Sequence, residues 1–211
     1  MNEAILRGLI YKAQGLKSQL KLKERWNERK AVVEQDAGNC WLYSCLNNLW
    51  LNLGYKVNQL EIQQLKNRLT ELGVNVNEGN NEMLAGAVIC ERWDKKNPDR
   101  KIAHFCIDFE KDTLLMADLF KNGYSFIYTR SNRADFMNDI RDNDTINKIH
   151  NLRGAWHAVN VMLESKDNAK IVEVQRGDDH FANYFDYEDV LIFGRNIQST
   201  IHHAFSFFDF I

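Results

Sequence analysis

The chain has 211 residues, 45% hydrophobic and 27% charged, with a net charge of −2 and an isoelectric point near 6.3. That balance suits a folded domain with a sizeable core. It offers no global basic field for nucleic acid, and no apolar run approaches the roughly 20 residues of a membrane span.

The start, MNEAILRGLIYKAQG, lacks the apolar core and cleavage site of a secretory signal peptide. Four cysteines, at 40, 45, 90 and 106, form no C-x-x-C pair. They predict reduced thiols in an intracellular, cytoplasmic setting. His104-Phe105-Cys106 is the nearest approach to a zinc cluster, and it falls short of four ligands. No metal and no organic cofactor is expected.

Residues 1–30 carry eight Lys/Arg against three Glu, or +5, which leaves −7 for the rest. Ile5, Leu6, Leu9, Ile10, Ala13, Leu16 and Leu20 recur at helical spacing, so this arm reads as a basic amphipathic helix. A second helix starts near Cys40, with Leu42, Cys45, Leu46, Leu49 and Leu53 in period and Gly54 as its stop. Asn58 with Glu61 forms the capping box of a third, whose stripe is Ile62, Leu65, Leu69 and Leu72 and whose end is Gly73. Residues 74–81 are a loop by their Gly and Asn content, and 83–93 a fourth helix.

Strand character then takes over. Residues 102–109, 124–129, 157–163 and 169–175 read as strands, with a short helix over 114–120 and a polar crossing over 131–153. The pair 157–163 and 169–175 reads as a hairpin. The acidic run at Asp178, Asp179, Asp186, Glu188 and Asp189 reads as a solvated loop. The aromatic end, HHAFSFFDFI, is strand-like; its Phe residues either complete the core or, exposed, offer a docking patch. Helices followed by strands predict an α+β fold.

The chemistry concentrates at Gln35-Asp36-Ala37-Gly38-Asn39-Cys40-Trp41. A cysteine at a helix start has its thiolate stabilised by the dipole and the free N–H groups there. Gly38 permits a tight turn, and the Gln35 amide can fold back beside Cys40 to build an oxyanion hole with the Cys40 N–H. His157 opens the strand that follows Trp156 and is the candidate base. Glu173 or Gln175, which share one strand face, would orient its ring.

In order and local context, Gln35…Cys40-Trp41, then His157-Ala158-Val159, then a polar residue one strand later, resembles the papain-like cysteine peptidases. Residues 82–87 are similar to that family's left-lobe helix, 121–127 to its "NGPVSV" passage and 170–177 to its "yWivKNSWG" strand. The resemblance covers about residues 33–193. It implies a two-lobe fold, with a helical lobe over about 31–100 and an antiparallel, β-barrel-like lobe over about 101–211, behind the separate arm of 1–30.

It further implies hydrolysis of a protein or peptide substrate through a Cys40–His157 thiolate–imidazolium pair, with Gly38, Asn39, Trp41 and Trp156 at the substrate cleft. This chain has one residue fewer between Gln35 and Cys40 than the family's usual spacing, and Gln175 stands where the family has its triad asparagine. Gly38-Asn39-Cys40 also resembles the ovarian-tumour-domain "DGNC", and Cys45-Leu46-Asn47-Asn48-Leu49 the Josephin "CLNNL" helix, which would turn the same chemistry on isopeptide bonds. Two other readings are an acyl transferase using the same thiol and a silent papain-like domain. The silent domain would bind partners through its basic N-terminal helix or Phe-rich C-terminus.

Overall fold

The computed structural model describes residues 15, 20, 33, 35–108, 112, 114–115, 118–119, 122–130, 157–163, 168–172, 181–186 and 203–210. The helix expected over residues 1–30 (apart from Gly15 and Leu20) and the crossing over 131–153 lie outside the described residues. So does the end of the 169–175 strand beyond Val172.

Among the residues from 35 to 100, three helices are described. Helix α1 spans Cys40–Leu53 and ends on Gly54, which takes the left-handed conformation at φ 72° and donates its N–H to the Trp50 carbonyl. Helix α2 spans Gln59–Glu71. Its capping box is present: the Asn58 side chain accepts from the Glu61 N–H, and the Glu61 carboxylate accepts from the Asn58 N–H. Ile62, Leu65 and Leu69 are buried as the stripe predicts, and Gly73 follows at φ 82°. Helix α3 spans Glu82–Lys96, with Asn81 capping Met83. The short helix expected over 114–120 is described at four positions, Leu114, Leu115, Asp118 and Leu119, all helical.

Six strands are described after them: β1 Lys101–Asp108, β2 Phe126–Arg130, β3 His157–Leu163, β4 Asn168–Val172, β5 Phe181–Asp186 and β6 His203–Phe210. They form one sheet in the order β1-β6-β2-β3-β4-β5, with every described pairing antiparallel. The fold is therefore α+β. The 157–163 strand and its hairpin with β4 form as expected, with Asn160 opposite Val172.

Two expectations are corrected. The acidic run is not all loop, because β5 lies within it; Phe181, Tyr184 and Phe185 supply β-forming residues that the charges mask. The strand read from Tyr124 starts at Phe126, because the Ser125 N–H goes to the Asn52 side chain at 2.7 Å rather than to a ladder. Cys106 is half-buried, whereas Cys45 and Cys90 are buried thiols.

Helices and sheet share one core, which joins Leu42, Leu46, Leu69 and Ile89 to Ile102, Ile127, Ala158 and Phe207. Phe207 and Phe208 are wholly buried, so these two residues complete the core rather than form a docking patch. Helix α1 is buried on nearly every side, as a central helix must be. Its polar residues Ser44, Asn48 and Asn52 recur every fourth position, so they stack on one face with Cys40.

That polar face meets main-chain groups of the sheet. Asn48 Nδ2 donates to the Ser125 carbonyl at 2.7 Å, and Asn48 Oδ1 accepts from the Phe207 N–H at 2.8 Å. Asn52 Nδ2 reaches the Ser125 carbonyl at 3.0 Å, the Ser206 hydroxyl at 2.8 Å and the Phe207 carbonyl at 3.1 Å. At the other contact, α3 crosses β1. A side chain at Gly86 would put its Cβ 2.0 Å from His104 Nδ1, so only glycine admits the His104 ring, which lies 4.4 Å from Phe207.

Candidate functional site

The turn ahead of α1 is built from its own side chains. Gln35 Nε2 donates to the Ala37 carbonyl and Asn39 Nδ2 to Asp36 Oδ1, each at 2.8 Å. Lys66 pairs with Asp36. Burial pushes the Asp36 carboxyl up, but hydrogen bonds from Lys66 and Asn39 outweigh it and hold the group below its usual range.

A second loop braces the turn. The Gly38 N–H donates to the Asn77 carbonyl at 3.1 Å, and Trp41 Nε1 donates to the Glu78 carbonyl at 2.8 Å. A Cβ on Gly38 would sit 3.0 Å from that Asn77 oxygen, so glycine allows the close approach of the two loops. Trp41 is 1% exposed and acts as a wall packed into the core.

Cys40 is the first residue of α1, where the dipole and free N–H groups face outward. Its thiol is in no disulfide, and the residue is 7% exposed. The Ala158 N–H donates to Cys40 Sγ at 3.4 Å. The Ala158 carbonyl in turn accepts from the Ser44 hydroxyl at 2.8 Å, and Asn160 Nδ2 donates to the Ser44 carbonyl at 3.1 Å. So α1 lies along β3, and the first residues of each element meet. His157 is the residue before Ala158 and stands opposite Arg130 in the sheet.

The structure thus joins Cys40, Trp41, Gly38, Asn39 and Gln35 on one turn, and brings the start of β3 to the thiol. Gln35 Oε1 and Asn39 Oδ1 are buried on that turn without a hydrogen-bond partner among the described residues. The side chain of His157, and Trp156, Glu173 and Gln175, lie outside the described residues. Sequence reasoning missed Ala158, Ser44 and Asn160. The signal for Ser44 was present: a hydroxyl one helical turn after Cys40, heading the polar row that continues through Asn48 and Asn52.

The other thiols differ. Burial, then the nearby Glu82 carboxyl and Cys90, pushes the Cys45 thiol up, as suits an inert core residue. Among the described residues, no group of three or more His, Cys, Asp or Glu side chains is placed to hold a metal ion. No helix among them is long and apolar enough to cross a membrane. Compared with known proteins, the chain matches no family model and no curated protein.

Proposed function

We propose that the chain is a papain-like cysteine peptidase acting on peptide or isopeptide bonds. One observation carries the reading: the thiol at the start of α1 takes a hydrogen bond from the residue next to His157, 118 positions along the chain. A helix-start cysteine beside the strand end that carries a histidine supports a nucleophile–base pair.

In this mechanism Cys40 attacks the substrate carbonyl while His157 holds the thiol proton. His157 then protonates the leaving amine, and water attacks the thioester to regenerate the thiol. The Cys40 N–H and the Gln35 amide stabilise the oxyanion, each donor being worth about 3 kcal/mol or more in such sites. Gln175, or else Glu173, orients the imidazole. The helices would form one lobe and a barrel-like sheet the other, with the cleft at Cys40. The four free cysteines favour a reducing compartment.

A second reading, a silent binding domain, draws on two facts. Cys40 is nearly covered, and the Gln35 amide is engaged with the Ala37 carbonyl. Iodoacetamide labelling across pH, mapped by peptide mass, separates the two. Under the peptidase reading, Cys40 labels faster than Cys45, Cys90 and Cys106 below about pH 7, and His157→Ala abolishes that advantage. If Cys40 labels only as an ordinary thiol does, near pH 8.5, the peptidase reading fails and the binding domain stands.

A further inference from the structure

We propose that Ser44 is a positioning residue of the thiol site: it fixes the start of β3, and so the backbone of His157, against Cys40. The proposal rests on the thiol-peptidase reading above. Both main-chain groups of Ala158 are taken by α1, the N–H by Cys40 Sγ and the carbonyl by the Ser44 hydroxyl. The N–H and C=O of one strand residue point the same way. For Ala158, therefore, α1 fills the place of a neighbouring strand.

The two bonds are unequal. Sulfur is a weak acceptor, and the N–H reaches it at 3.4 Å; the hydroxyl reaches the carbonyl oxygen at 2.8 Å. The serine, rather than the thiol, sets the approach of strand to helix. Ser44 also takes Asn160 Nδ2 on its own carbonyl, so one helical residue holds β3 at positions 158 and 160. Ser44, Ala158 and Asn160 are all 0% exposed, so water cannot substitute for these bonds. Farther along α1 the bonds go elsewhere: Asn48 and Asn52 hold Ser125 and β6.

The test is the pH profile of Cys40 alkylation by iodoacetamide, with thermal melts, for wild type, Ser44→Ala, Ser44→Thr and Ser206→Ala. Ser206→Ala is the control. It removes a buried hydroxyl that donates to the Ser125 carbonyl at 2.6 Å and does not touch β3 in any described bond. Ser44→Ala is expected to slow Cys40 alkylation below pH 6 by about tenfold to a hundredfold, the scale of a small misplacement of reacting groups. Its profile moves toward that of His157→Ala.

Ser44→Thr, which keeps the hydroxyl, restores the profile. Ser206→Ala lowers the melting temperature and leaves the profile at wild type. Should Ser44→Ala fail to fold, Ser44→Cys, close in volume with a weak donor, carries the same expected shift. The proposal is overturned if Ser44→Ala, or Ser44→Cys in its place, superimposes on wild type, or if Ser206→Ala shifts the profile as much. Wild-type labelling that ignores His157 overturns the peptidase reading and this proposal together. His157-dependent labelling with an unmoved Ser44→Ala or Ser44→Cys profile overturns this proposal alone.

Discussion

Two buried ionisable groups set opposite limits on stability. Glu82, 3% exposed at the start of α3, has its carboxyl raised by burial from 4.5 to about 7. The folded chain therefore binds this proton more tightly than the unfolded chain. Its contribution is full below pH 4.5 and lost as pH rises through 7, on the order of 3 kcal/mol in all. His104, held against Phe207 and roofed by Gly86, is lowered by burial from 6.5 to about 3. Here the unfolded chain binds the proton more tightly, so stability is present above pH 6.5 and lost as pH falls toward 3. Between 4.5 and 6.5 the two slopes oppose each other, and stability should be nearly flat. Glu82→Gln is expected to be more stable than wild type at pH 8 and no more stable at pH 4.5, read from urea unfolding at the two pH values. An equal change at both would assign the effect to packing, not to titration.

At the scale of elements, local chemistry decides most of what forms. Asn58 and Glu61 close the start of α2 within four residues, and Gly54 and Gly73 supply positive φ at the exits of α1 and α2. Asn58→Ala removes the side-chain bond to the Glu61 N–H and should destabilise the fold by about 1 kcal/mol, seen as a lower urea midpoint with unchanged slope. Such signals span a few residues, which is why the three helices and the β3–β4 hairpin were legible from residue order. Strand β5 was not, because its aromatic residues sit among charges, and a strand is made by its neighbour as much as by itself. The candidate site was legible to the same extent. Cys40 and Gly38 announce a helix start; the Ser44 hydroxyl meets the main-chain carbonyl of Ala158, 114 positions away, and no side-chain pattern encodes a carbonyl's direction.

Across the whole molecule, the polar face of α1 is the joint between helices and sheet. Asn52 binds the Ser125 N–H and carbonyl, the Ser206 hydroxyl and the Phe207 carbonyl, all fully buried. Asn52→Ala strands several of these groups without water and should destabilise the fold by about 3 kcal/mol or more, a large drop in melting temperature. Asn52→Asp, which can accept from the Ser125 N–H but cannot donate, should rescue little of it. The same joint receives the last described strand. Strand β6 lies between β1 and β2, pairing Lys101 with Phe210 and Ile127 with Phe205, although residues 131–202 separate it from β2 in the chain. On a ribosome adding about 5–20 residues per second, β1 and β2 emerge well before the strand that must part them. For those seconds each presents an open hydrogen-bonding edge, and α1 presents Asn48 and Asn52 without their Phe207 partners. The nascent chain is thus most exposed to mispairing while its helices are already complete, and the sheet closes only after residue 210 is free of the exit tunnel.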